Sequence, residues 1–270
     1  MTAIIVHGNP GSYKSSALIN EFGIPALKAG RTVVSNIRGF DDIERVESAF
    51  NLVLPPGAEL MSVPFKPEGF EHIARFHHWL PEGAVLLVDE VQRCYPTRLK
   101  SLSEFDIEGK GRETPEPGEY IRTVEEAFDC HRHMNWDIYL STTHIKKCHA
   151  EIRAVAEFGY RHKNLAGVLP GLRGRYKKVK HDPENNGKSL TNVLGSSIAK
   201  MDSRVFDVYK STATGKTKDT TESASLWTQP KLLFGVALVG IAVLFALARS
   251  GGSGGSPGPL PRRRCSVRPL

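Results

Sequence analysis

Cysteine is scarce in this chain of 270 residues: Cys94, Cys130, Cys148 and Cys265 are the only four, and none forms a C-x-x-C pair. That distribution fits reduced thiols in a cytosolic domain better than a disulfide framework. Cys130-His131-Arg132-His133 and Cys148-His149 gather ligand types without any standard zinc spacing, so packing and surface roles are the expectation for them. An acidic excess is also missing. Lys and Arg total 36 against 29 Asp and Glu, a formal charge of +7, which favours acidic partners such as phosphates, nucleic acid or anionic lipid. No internal repeat is visible, which excludes a solenoid. No signal peptide precedes Ile4, where the chain is read as running straight into a strand. Long apolar runs are absent with one exception, near the C-terminal end.

What is present begins with "IIVHGNPGSYKSSALINEF". A short apolar run, Ile4 to Val6, meets a Gly and Pro cluster from Gly8 to Gly11, then Lys14, two serines and a helix-like apolar stretch. The segment resembles the phosphate-binding loop G-x-x-x-x-G-K-[ST], with Gly8, Lys14 and Ser15 in register and Asn9, Pro10, Gly11, Ser12, Tyr13 and Ser16 completing it. Tyr13 stands where that pattern has its second glycine, and a side chain forced to positive φ there costs roughly 1 to 2 kcal/mol. In such a loop backbone N–H groups converge on phosphate oxygens, the helix adds its positive end, and Lys14 reaches the β and γ phosphates of ATP. Ser15 offers an oxygen to Mg²⁺.

A phosphate loop of this kind requires a second apolar strand that delivers a carboxylate to the metal. "AVLLVDEVQ", Ala84 to Gln92, fits, ending in Asp89 to hold Mg²⁺ and Glu90 to orient or accept a proton from the attacking water. "RTVVSNI", Arg31 to Ile37, and "WDIYLSTTH", Trp136 to His144, read as further strands of one sheet. Thr143, then Thr142, are the expected γ-phosphate sensors at the tip of the latter, and a capping role is the alternative. Thr123 to His133 reads as a helix, and "HAEIRAVAEFGY" as another with Ile152, Val155, Ala156 and Phe158 inward. Its Arg153, or equally Arg132, could act in trans on a neighbouring subunit's nucleotide, with a surface salt bridge as the alternative. "RVFDVYK", Arg204 to Lys210, reads as a final strand. Arg161 to Lys180 is dense in Lys and Arg around a Pro-Gly turn, able to grip a nucleic-acid backbone or an anionic leaflet, or to stand as a solvated loop and strand edge.

The exceptional apolar run is Leu232 to Ala248, about 17 residues without a charge and roughly 25 Å long as a helix, flanked by Trp227, Lys231 and Arg249. The expectation is a single membrane span, preceded by a polar tether over 213–231 and followed by a flexible Gly, Pro and Arg-rich tail over 249–270. Arg262, Arg263, Arg264 and Arg268 lie beyond the span and Lys216, Lys218 and Lys231 before it, so charge favours a cytoplasmic tail. The need for cytosolic nucleotide places the domain of residues 1–212 inside instead.

The loop "GNPGSYKSS", the strand "LLVDEVQRCYP", "HRHMNWDIYLSTTHI", "EIRAVAEFGYRHKN" and "VFDVYKSTAT" together resemble the Zot-type family, zonula occludens toxin and the related assembly ATPases of filamentous phages, over about residues 1 to 212. The resemblance implies an α/β P-loop NTPase with a mostly parallel sheet flanked by helices, plus one C-terminal transmembrane helix in the bacterial inner membrane and a short periplasmic tail. It further implies work with phage coat proteins, host thioredoxin and an outer-membrane channel to extrude virions, as a homo-oligomer, on phage single-stranded DNA. Lys14 and Ser15 then become nucleotide residues, and Asp89 and Glu90 the metal and water pair. The tail after Ala248, about 22 residues, is too short to fold alone. Three alternatives share parts of these features: a packaging-type DNA translocase, a membrane scaffold with a degenerate loop, and a secreted toxin.

Overall fold

The computed structural model describes residues 1–166, 172–210 and 241–243. The chain separates into two compact units, Met1–Ser223 and Ala224–Leu270. In the second, residues 241–243 are helical. The apolar run over 232–248, the tether over 213–231 and the tail over 249–270 otherwise lie outside the described residues. Among those residues no helix is long and apolar enough to cross a membrane.

The first unit is built on strands whose residues are apolar on both faces. β1 (Ala3–His7), β2 (Thr32–Ser35) and β4 (Val85–Val88) are buried nearly throughout, the pattern of a parallel sheet covered on both sides. β3 (Glu59–Ser62) is the more exposed edge strand. Two short strands, β5 (Arg112–Glu113) and β6 (Tyr120–Ile121), form a separate antiparallel pair. β7 (Asp137–Thr142) and β8 (Phe158–Asn164) return to the main sheet, which β9 (Arg175–His181) and β10 (Val193–Lys200) extend. The main sheet has the order β10-β9-β8-β1-β7-β4-β2-β3, parallel from β8 to β3 and antiparallel at β8-β9 and β9-β10.

Helices cover both faces. α1 (Lys14–Ala17), a π-helical turn over Leu18–Gly23 and α2 (Ile24–Lys28) run as one helical segment. Pro25 has no N–H to offer the Glu21 carbonyl, and the helix widens in the turn ahead of it. Gly23 lets this segment lie close on the sheet, since a Cβ there would sit 3.0 Å from a Leu87 methyl. With α3 (Ile43–Phe50), capped by Asp42 accepting from the Arg45 N–H at 3.0 Å, it packs on Ile4, Val6, Val33 and Leu87. The opposite face, with Ile5, Leu86, Val88 and Leu140, is covered by α4 (Pro67–Ala74), α5 (Phe76–Trp79), α6 (Val124–Asp129) and α7 (Ala150–Val155). A reciprocal Thr123 and Glu126 capping box starts α6.

Two sequence expectations are corrected. α7 stops at Val155, and Phe158 begins β8, because Phe158 to Arg161 pairs in parallel with Ile4 to His7. The stretch Arg204 to Lys210 is no strand: Ser203–Asp207 is a 3-10 turn capped by Asp202, and β9 and β10 supply the final strands.

Candidate functional site

The crevice lies where β1, β7 and β4 end side by side. Val6 is level with Ser141, and Val88 with Leu140, so the loops leaving β1 and β4 are separated by the width of β7, about 10 Å between outer strands. Side chains from both loops close that gap. Ser15 Oγ donates to Asp89 Oδ2 at 2.8 Å, and Ser141 Oγ at the tip of β7 donates to Asp89 Oδ1. The loop of Gly8 to Ser16 and the acids of the later strand therefore form one site.

Each loop residue has a place set by backbone geometry. Gly8, with φ 156, is packed so tightly on β8 that a Cβ would lie 2.4 Å from the His162 carbonyl oxygen. The Ser12 N–H donates to the Asn9 carbonyl at 3.2 Å, turning the chain through Pro10 and Gly11, whose φ is 74. Asn164 on β8 donates to the Gly11 carbonyl at 2.9 Å and ties the turn down. Tyr13 is left-handed, at φ 63 and ψ 28, so the loop keeps the conformation for which glycine is the usual residue. Its ring packs 5.8 Å from that of Tyr176 and 6.3 Å from that of Phe206, contacts that offset a cost of about 1 to 2 kcal/mol. Ser12 and Ser16 are buried, and α1 has no acid in its first turn to neutralise its N-terminus.

Lys14 is 7% exposed, and among the described residues its ammonium makes one hydrogen bond, to the Asn9 carbonyl at 3.3 Å. Burial lowers its pKa, opposed by the Asp89 and Glu90 carboxylates. A buried ammonium amid converging N–H groups is a site for a phosphate chain. Beside it, the Ser15 hydroxyl and the Asp89 carboxylate are hard oxygen donors already in contact, the set that suits Mg²⁺.

Asp89 is held by a residue that sequence reading missed. Buried Asn36, just past β2, accepts from the Asp89 N–H at 2.7 Å and donates to the Asp89 carbonyl at 3.0 Å. Asn36→Ala leaves both backbone groups without partners and should destabilise the fold by about 2 to 3 kcal/mol, read as a lower urea midpoint at unchanged m-value. Glu90, left-handed at φ 54, has its carboxylate held by Gln92 Nε2.

The remaining sequence candidates separate. Thr142 is buried and donates to the His144 carbonyl at 3.2 Å, while the Thr143 hydroxyl is buried without a partner among the described residues. Ser141, one residue earlier, is the β7 hydroxyl that reaches Asp89, and alternation along the strand was the signal that could have singled it out. Arg153 is occupied within the chain, by the Cys148 carbonyl at 2.8 Å and Glu184 at 3.4 Å. Arg132 pairs with Glu157 at 3.0 Å. Cys130 and His133, read as lacking zinc spacing, do converge with Glu119, their ligand atoms lying within 4.8 Å of one another.

Comparison with known proteins shows the family of the chain. The family model described as Zonular occludens toxin (Zot) matches residues 2–216. A curated relative, Zona occludens toxin of Vibrio cholerae serotype O1, is 37% identical over 242 residues, which are 87% of this chain and 57% of that protein. The chain thus spans little more than half the length of this relative. Among solved structures, the N-terminal domain of zonular occludens toxin from Neisseria meningitidis is 20% identical with a TM-score of 0.43, covering 77% of this chain and 100% of that one. The genome packaging NTPase of Sulfolobus turreted icosahedral virus 2, in complex with ATP-γS, is 15% identical with a TM-score of 0.40, covering 74% and 96%.

Proposed function

The chain belongs to the Zonular occludens toxin (Zot) family, and from that premise we propose that it is a membrane-anchored P-loop ATPase that powers assembly and extrusion of filamentous phage virions. The observation that carries the ATPase reading is the 2.8 Å contact between Ser15 and Asp89, which joins the phosphate loop to the acid strand across β7. Backbone N–H groups of residues 11–16 and the Lys14 ammonium hold the phosphates of ATP. Ser15 and Asp89 hold Mg²⁺, which when bound neutralises phosphate charge. Glu90, poised by Gln92, orients water for in-line attack, and the hydrogen bond from Ser141 keeps the Asp89 carboxylate aimed.

The apolar run over 232–248 then anchors the protein in the bacterial inner membrane, with residues 1–212 in the cytoplasm and the tail in the periplasm. Self-association, coat proteins, host thioredoxin and an outer-membrane channel are the partners this reading requires. Arg153 would reach a neighbour's nucleotide only by leaving Glu184.

Hydrolysis of ATP by the full chain in detergent tests the reading. Slow, Mg²⁺-dependent phosphate release is expected, lost in Glu90→Gln while nucleotide binding is kept. Persistent hydrolysis in Glu90→Gln removes the water-handling role of Glu90, and no release in the parent favours the scaffold alternative.

A further inference from the structure

The antiparallel extension of the sheet carries a cluster of cations that the nucleotide site does not use. Register places Arg161 beside Val179 and Lys163 beside Lys177, and puts Ser196 and Ile198 next along on β10. These side chains share one face by strand alternation. The other face takes Lys178, which pairs with Glu21, and Lys180, whose ammonium lies 3.3 Å from the centre of the Phe158 ring. The pleat thus sorts the Lys and Arg density seen in sequence into a face whose cations meet a carboxylate or an aromatic ring and a face whose cations have neither.

The set without carboxylate partners, Arg161, Lys163 and Lys177, lines an open cavity of about 260 Å³ together with Lys188 from the β9-β10 connection and Val179 and Val193; Arg161 also donates to the Gly187 carbonyl at 3.5 Å, which leaves its charge unneutralised. Among the described residues none of these four cations has a carboxylate within ion-pair distance. The nearest acids along the connection are committed elsewhere, Glu184 to Arg153 and Asp182 to the Glu184 N–H. Leaving four cations unpaired on one concave face favours a polyanion.

We propose that this face binds the phosphate backbone of a single nucleic-acid strand. Arg161 and Lys163, two residues apart, are about 6.8 Å apart along β8, close to the spacing of successive phosphates in an extended strand. The cavity spans three strands, about 10 Å, which admits one backbone and is too narrow for a duplex. Exposed Ile198 and Val193 meet sugars and base faces without reading sequence. Arg161 is in register with His7, the residue before Gly8, so the bound strand lies one strand away from the phosphate loop.

The test is fluorescence anisotropy of a labelled, mixed-sequence single-stranded oligonucleotide with the full chain in detergent, without nucleotide, over a salt series. Four phosphate contacts give a log–log salt slope of about −3. Lys163→Gln with Lys177→Gln should flatten the slope by about 1.4 and weaken binding about 25-fold near 0.1 M salt. Lys28→Gln with Lys110→Gln, an equal charge change elsewhere, should weaken it less than 3-fold. The proposal is overturned by equal losses in the two double variants or by a slope near zero. It is also overturned by a duplex bound as tightly as the single strand, or by loss of binding to phosphatidylglycerol vesicles with DNA affinity unchanged. ATP binding, measured on the same variants, is expected to persist, so the two sites fail or stand separately.

Discussion

Lys14→Ala should abolish nucleotide binding and hydrolysis together while leaving the fold standing. The lysine is buried by β1, the loop and the acids of β4, yet its ammonium spends one hydrogen bond on the chain itself. Two charge-assisted bonds to phosphate oxygens at about 1.5 to 3 kcal/mol each amount to about 3 to 6 kcal/mol, a loss of at least two orders of magnitude in affinity. Folding stability responds far less, because removing a desolvated cation relieves about as much as it costs Asp89 and Glu90 to lose its charge. Titration of a fluorescent ATP analogue, with thermal unfolding beside it, separates the two effects. A variant that binds with parental affinity would sink the phosphate-loop assignment, and one that fails to fold would show the lysine to be structural. Lys14→Arg should not rescue, since a planar guanidinium presents its charge and donors differently from the compact ammonium.

How much of this site could be read from sequence depended on whether its residues announce themselves by type. Gly8, Lys14, Ser15 and Asp89 follow strands so continuously apolar that their ends were unmistakable. Asn36 and Ser141 did not stand out, because a polar residue at a strand tip has many uses and only the order β1-β7-β4-β2 brings those two tips to Asp89. Tyr13 was read as a departure, and its strain is real, but the aromatic contacts that support it come from β9 and the turn near Phe206, over 160 residues away. The confusion of α7 with β8 has a similar cause. Ile152, Val155, Ala156 and Phe158 satisfy helical spacing, and nothing local reveals that Phe158 must lie beside Ile4. Charge hid β9, whose run of Lys and Arg masks its alternation, and small polar residues hid β10.

Acid should unfold the domain well before its carboxylates titrate. His7, at the end of β1, is buried and pushed down to about 3, chiefly by desolvation and then by His181, His144, Arg161 and His162. Burial likewise takes His162 to about 3, aided by Lys178 and Lys14, and His77 to about 4, aided by His78. His181, also lowered by burial, faces His7 with Nε2 atoms 2.7 Å apart, so one proton lies between them and a second there would set two N–H groups against each other. In each case the folded value lies below the ordinary 6.5, so the unfolded chain binds more protons. The stability these groups contribute is therefore complete above about pH 6.5 and lost as pH falls toward their folded values. Between pH 6.5 and 5 the exposed carboxylates are still ionised in both states and contribute little; Glu151, shifted upward by burial beside Glu125, acts weakly in the opposite sense. At about 1.4 kcal/mol per pH unit for each of three histidines, about 6 kcal/mol is gone by pH 5, comparable with the whole stability of a domain. Urea midpoints from pH 7.5 to 5 should fall steeply. His162→Phe, which keeps a ring against Tyr176, should take about one proton out of that slope while changing stability at pH 7.5 far less. Midpoints that stay level across this range would mean that water reaches these rings and that the end of β1 is not sealed by β8 and β9.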